Sequence, residues 1–140
     1  MHVEASGIVD RPVAVVWEFY AVNHVSNHPR WDSTVELEAT TDGPMGVGTV
    51  INRRVTRFGN VTDGTMEVIE FQPESVMTVR TQDGPMSIDG FATFEKASDQ
   101  QTQITIGAEI PGIDDSVAEQ IRAMMSTSVA NIKTLIESES

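Results

Sequence analysis

Along the last stretch of the chain, "DDSVAEQIRAMMSTSVANIKTLIES", apolar residues recur largely at intervals of three and four. Val117, Ile121, Met124, Met125, Ile132, Leu135 and Ile136 then share one side of a long helix, while Glu119, Gln120, Arg122, Lys133 and Glu137 fall on its polar sides. Asp114, Asp115 or Ser116 can accept hydrogen bonds from the first unpaired amides and meet the positive end of the helix dipole. A helix of this kind needs an apolar surface of matching length, which the preceding segments must supply.

They supply it as strands. In "TQITIGAEI" Thr102, Ile104, Ile106, Ala108 and Ile110 keep one phase, and across the "ASDQQ" connection Ile88, Ala92 and Phe94 keep another shared phase in "MSIDGFATFEK". Upstream, "TVINRRVTRF" (Thr49 to Phe58) puts Ile51 with Val55 on one face and Val50 on the other. The pair Gly59 and Asn60 favours a tight reversal into "VTDGTMEVIEF", Pro73 closes that strand, and "SVMTVRT" leads to a turn at Asp83 to Pro85. "STVELEA" is a further strand with Val35 and Leu37, followed by a turn or gate in "TTDGPMGVG". The chain opens on a strand, "HVEASGIV", with Val3, Ala5 and Val9 in phase.

Between the first two strands lie two short helical segments. Asp10 and Pro12 suit a helix start, and Val13, Val16, Trp17 and Tyr20 can share one side. The second segment covers Val22 to Asn27 and is expected to end before Pro29, which restricts His28 toward extended geometry and leaves Trp31 just beyond the break. The order is strand, two short helices, six strands and a long terminal helix. This is an α+β pattern in a chain of 140 residues with no internal composition boundary, hence a single domain over 1–140.

The formal charge of −12, from 21 acidic and 9 basic residues, opposes approach to a phosphate backbone or an anionic membrane. No nucleic-acid partner and no stable membrane insertion are expected. The absence of cysteine removes thiol chemistry and disulfides, and no basic, apolar leader is visible. The expectation is a soluble, cytoplasmic protein; a homodimer stays open.

The densest chemistry lies in "NHVSNHPRWDST". His24 and His28 are candidates for proton transfer near neutral pH, with exposed, capping or packing roles as the alternative. A metal would need Asp32 or Glu18 beside them. The segment has no compact ligand motif, so neither metal nor cofactor is expected. Trp17 is expected in the core, whereas Trp31 can face a ligand with its ring and water or a carbonyl with its indole donor, or serve as a packing anchor. Arg54, Asp63, Glu67, Arg80 and Asp89 lie on different strands. Inward placement would let an arginine orient an oxygen, and outward placement would solvate the sheet; strand phase puts Asp89 opposite Ile88, Ala92 and Phe94. Met66, Met77, Met86, Met124 and Met125 offer adaptable apolar surface for a core or a ligand.

The order of "VDRPVAVVWEFYAVNHVSNHPRW", "GVGT", "VIEFQPESVMTV", "GFATFEK", "TQITIGAEI" and "NIKTLIES" resembles the START and Bet v 1-like superfamily (SRPBCC), especially its bacterial polyketide cyclase/dehydrase and lipid-transport relatives. The resemblance covers nearly the whole chain. It implies a helix-grip fold, in which a curved antiparallel seven-stranded sheet surrounds the C-terminal helix and two short helices follow strand 1, leaving an interior pocket.

With that pocket, the leading expectation is binding of a small hydrophobic or amphipathic molecule, contacted by Trp31, Met66, Phe94, Ile106 and Met125. One alternative is a polyketide cyclase/dehydrase-like enzyme that holds a carbonyl substrate near Trp31. Arg54 or Arg80 would then stabilise enolate-like charge, and His24 or His28 would move the proton. Another alternative is a protein-interaction or sensor module with a closed pocket.

Overall fold

The computed structural model describes residues 1–57 and 59–139. Strand β1 (His2–Val9) is followed by helix α1 (Val13–Trp17), a π-helical turn (Glu18–Val22) and helix α2 (His24–Trp31). Strands β2 (Val35–Ala39), β3 (Val50–Arg57), β4 (Asn60–Gln72), β5 (Val76–Asp83), β6 (Met86–Ser98) and β7 (Gln101–Glu109) lead to helix α3 (Asp115–Glu139). Phe58, read from sequence as the end of the β3 segment, lies outside the described residues.

All seven strands form one antiparallel sheet in the order β1-β7-β6-β5-β4-β3-β2. Bulges interrupt the register at Val68/Glu70 and Lys96/Ser98 in the two longest strands, and an extra residue bends and twists a strand locally. The sheet thereby curves around α3 in the helix-grip arrangement. Helix α3 packs chiefly on β1. Gly7 makes that approach possible, because a Cβ there would stand 2.7 Å from Val129 Cγ1.

The buried side of α3 is formed by Ala118, Val129, Ile132 and Ile136, with Ile121, Met125, Ser128 and Leu135 half-buried. Two members of the sequence-derived face, Val117 and Met124, are exposed instead. Ala118 and Met125 are one residue further along each time. The helix is rotated so that small and flexible side chains, rather than every apolar one, meet the sheet.

The second helix also differs from expectation, since it starts at His24 and continues through Pro29 to Trp31. Proline removes the amide that would bond the Val25 carbonyl, a cost of about 3 kcal/mol in a helix interior. Here the break has little helix left to disrupt, and tertiary contacts hold the last turn. Trp31 stacks with Tyr20 (ring centroids 5.0 Å, 13°) and with His28 (5.0 Å, 17°). Its carbonyl accepts a hydrogen bond from Asn131 Nδ2 of α3 at 3.1 Å, and the Asp32 amide closes the turn on His28 O at 3.1 Å.

The core lies between α1, α2, α3 and the inner sheet face, and includes Val9, Val16, Trp17, Val68, Met77, Ala92, Phe94, Ile104 and Ile132. Trp17 packs against Phe71 and, edge on, against Phe94 at 5.2 Å. Such pairs add about 0.5–1.5 kcal/mol each beyond their area burial.

Candidate functional site

Three adjacent strands set one end of the site. Arg53 pairs in register with Gly64, and Gly64 with Asp83, so all three occupy one row across β3, β4 and β5. Neighbouring strands stand about 4.8 Å apart, so side chains on β3 and β5 meet only if the strand between them leaves room. Gly64 leaves that room: a Cβ there would collide with Gln82 O and Asp83 Oδ1. Across it Arg53 Nε approaches Asp83 Oδ1 at 3.5 Å. Both atoms are buried and neither has a hydrogen-bond partner, so the two charges neutralise one another without a directed bond. Burial is the largest influence on Arg53 and lowers its pKa from the usual arginine value, while Asp83 acts in the opposite sense.

Helix α2 supplies the facing groups. The π-helical turn before it leaves carbonyls without their usual partners, and two buried side chains take them up. Asn27 Nδ2 donates to Phe19 O at 2.9 Å, and His24 Nδ1 lies 2.8 Å from Tyr20 O. A carbonyl only accepts, so His24 Nδ1 carries the proton and its Nε2 is an acceptor in the neutral ring. His28 Nδ1 stands 3.0 Å from that Nε2 and therefore donates to it. The remaining nitrogen, His28 Nε2, is left as a bare acceptor with no partner among the described residues. Burial holds His24 near a pKa of about 4 and His28 well below the usual histidine value; the charge of Arg53 adds to both shifts and His24 to that of His28. Both imidazoles are neutral at pH 7.

These groups line a cavity of about 240 Å³. Its apolar wall includes Met66, Met77, Val79, Ile88, Ile106 and Met125, and its polar lining includes Tyr20, His24, His28, Arg53, Thr81, Asp83 and Ser128, with Trp31 beside them. A larger depression of about 580 Å³ along β2–β4 is lined by Glu36, Leu37, Glu38, Asn52, Arg54, Asp63 and Gly64, and by Arg53, which borders both it and the interior cavity. It is a charged, solvent-open groove with Leu37 as its single apolar side chain, and Arg54 and Asp63 are already paired there. The interior cavity has the combination of apolar wall and few convergent polar groups that small-molecule sites show.

Of the residues singled out from sequence, His24, His28, Trp31, Met66, Ile106 and Met125 meet at this cavity. Phe94 does not line it; its ring is packed in the core against Trp17 and Tyr20. Arg54 and Arg80 are also elsewhere. Their side chains are 56% and 53% exposed on the outer face, paired with Asp63 at 2.8 Å and Asp89 at 2.9 Å. The arginine that enters is Arg53, whose side chain is only 14% exposed. Its signal was present in the alternation, since Arg53 shares the phase of Ile51 and Val55, whereas Arg54 takes the opposite phase. Asp83 shares the inward phase of Met77 and Val79, and Gly64 is a glycine inside a strand, a common mark of close approach. No group of three or more His, Asp or Glu that could hold a metal is formed among the described residues.

A sequence profile of the polyketide cyclase / dehydrase and lipid transport family matches residues 1–137. The chain belongs to this family. No curated protein sequence matches it. Among solved structures similar to this family member is TTHA0849 from Thermus thermophilus, at a TM-score of 0.80 and 12% identity over 100% of this chain and 99% of that one. The Zhui aromatase/cyclase from Streptomyces sp. R1128 is similar at 0.72 and 18% identity, over 98% of this chain and 93% of the other. DynU16, from the dynemicin biosynthetic locus, shares 23% identity at 0.72, but the match takes in 97% of this chain and 47% of DynU16, about half its length. At these identities the likeness is one of fold. Within the polyketide cyclase / dehydrase and lipid transport family, then, this member pairs the helix-grip cavity with the His24–His28 pair and the Arg53–Gly64–Asp83 row. No helix among its described residues is long and apolar enough to cross a membrane.

Proposed function

We propose that this protein binds one small amphipathic molecule in the interior cavity. The observation that carries the reading is the composition of that cavity: flexible methionines and aliphatic side chains form the wall, and Arg53, Asp83 and the bare His28 Nε2 form a polar set. Removal of apolar ligand surface from water supplies the affinity, and the polar set fixes orientation. A volume of about 240 Å³ falls just under the ~300–1,000 Å³ of typical small-molecule sites, which favours a compact occupant. Met66, Met77 and Met125 can change rotamer to fit it. Native mass spectrometry of the purified protein, followed by extraction, tests the reading: one bound species at one per chain is expected, and a mixture without stoichiometry defeats it.

A second reading, proton transfer on a carbonyl substrate, draws on the His28–His24–Tyr20 carbonyl relay. In it His28 Nε2 takes the proton and Arg53, not Arg54 or Arg80, faces the oxygen that gains charge. A general base works best with a pKa near the operating pH, and burial has moved His28 away from it. The imidazole is thus better suited to accepting a hydrogen bond than a proton, which favours the binding reading over the catalytic one. The interaction-module reading expects a closed pocket, and a cavity of about 240 Å³ favours ligand binding over it.

A further inference from the structure

The cavity's polar groups are arranged by charge in a way that bears on which molecules enter. Arg53 and Asp83 stand 3.5 Å apart over Gly64 and cancel one another. The neighbouring Arg57 and Asp32 form a second matched pair at 3.3 Å, with Thr34 Oγ1 accepting from Arg57 Nε at 3.2 Å. Burial keeps both histidines neutral, and in the neutral pair the hydrogen-bond chain runs from Tyr20 O through His24 to His28 and ends on a lone pair. What remains for a ligand is the acceptor His28 Nε2 and the guanidinium of Arg53 as a donor, beside the neutral hydroxyls of Tyr20, Thr81 and Ser128, with no uncompensated charge of either sign.

From this, and resting on the reading that a small molecule occupies the cavity, we infer that the occupant is uncharged and carries a hydrogen-bond donor beside an acceptor, as a lactam, an amide or a hydroxyketone does. Its donor meets His28 Nε2 and its acceptor meets Arg53, and Asp83 is the residue that sets the selectivity. A carboxylate would have to take Arg53 from Asp83, leaving the half-buried Asp83 carboxylate unpaired beside a second one. An ammonium would take Asp83 and leave Arg53 unpaired while offering nothing to accept from it. A neutral donor–acceptor head disturbs neither partner. Free fatty acids and amines are therefore disfavoured as occupants, although both have the apolar body that the methionine wall accepts.

Three bicyclic probes of matched size read this directly by titration calorimetry at pH 7.5: 2-quinolinone, a neutral lactam; 2-naphthoate, an anion; and 2-naphthylmethylamine, a cation. Naphthalene serves as the apolar control. The wild-type protein is expected to hold 2-quinolinone at least about tenfold more tightly than either charged probe, the ratio that corresponds to about 1.4 kcal/mol. Asp83→Asn frees Arg53 and is expected to raise the affinity for naphthoate relative to quinolinone by about tenfold, and Arg53→Gln is expected to move the amine-to-quinolinone ratio upward. Naphthoate binding as tightly as quinolinone to wild type overturns the inference, whether or not the variants fold. So does a folded Asp83→Asn protein with an unchanged ratio. If no probe, naphthalene included, binds the wild type, or if Met125→Trp weakens none of them, the cavity-binding reading itself fails and takes this inference with it. Tight binding of all probes with no preference leaves that reading intact and defeats only the selectivity.

Discussion

His28 donates from Nδ1 to His24 Nε2 across 3.0 Å, and the pair is locked in this sense because His24 Nδ1 donates to the Tyr20 carbonyl. Two neutral imidazoles in a buried chain make the fold sensitive to acid. The folded-state pKa of His24 is lowered from 6.5 to about 4 by burial, so between those values the unfolded chain binds a proton that the folded one does not. Stability is full above pH 6.5 and declines as pH falls toward about 4, by roughly 3 kcal/mol for a shift of that size. His28 adds loss in the same direction. Thermal unfolding followed by circular dichroism from pH 7.5 to 5 should show this decline, with a shallower slope in His28→Phe. That comparison cancels His2, an exposed residue whose pKa is raised by Glu4 and Glu109 and which titrates in the opposite sense.

Gly64 is expected to tolerate no side chain. Gly64→Ala drives a methyl group into the Gln82 carbonyl and the Asp83 carboxylate, and the strand has to shift. Overpacking of this kind costs about 1–3 kcal/mol, visible as a lower midpoint in urea. Probe selectivity in the cavity should change with it, because the Arg53–Asp83 contact passes over this position.

Pro29→Ala is expected to stabilise. It restores an amide able to bond the Val25 carbonyl within α2, and the proline penalty in a helix is about 3 kcal/mol, partly offset by the greater freedom alanine gives the unfolded chain. A net rise in Tm supports the continuous helix; a fall shows that the proline ring is needed against its neighbours.

The exposed arginines provide the negative comparison for the site. Arg54→Ala and Arg80→Ala remove surface pairs with Asp63 and Asp89 and should leave both Tm and the binding of 2-quinolinone unchanged within error. Arg53→Ala should weaken that probe by at least about tenfold, since it strips the guanidinium from the cavity lining and leaves Asp83 unmatched.

Filling the cavity should abolish binding without unfolding the protein. Met125 is half-buried on α3 and lines the cavity, so Met125→Trp puts an indole where the ligand body would lie. Loss of heat in calorimetry with naphthalene, together with a retained cooperative thermal transition, is the expected result.

Much of the architecture was legible from period alone. Alternation at Thr102, Ile104, Ile106, Ala108 and Ile110, and three-to-four spacing at Ile132, Leu135 and Ile136, follow from side chains pointing to opposite faces of a strand or lining one side of a helix. The same alternation assigned Asp89 to the outer face, where it pairs with Arg80; the phase that sets Arg53 beside Ile51 and Val55 was equally available, yet the expectation named Arg54 and Arg80 as the site arginines. These are properties of one element, and the sequence of that element is sufficient to state them.

Other features depended on neighbours that no local pattern names. The apolar period of α3 does not specify its rotation, which close packing at Gly7 and Val129 decided, leaving Val117 and Met124 outside. Backbone preference argued for a break at Pro29, and the stacking of Trp31 with Tyr20 and with His28 outweighed it. The two histidines became one hydrogen-bonded pair only because that helix continued. Arg53 and Asp83, far apart in the chain, met because three strands fell into one register with a glycine in the middle. Sequence by itself determined which way each residue faces along its own strand; register and packing between elements decided which of those residues touch, because contact energies are set by partners that folding alone brings within reach.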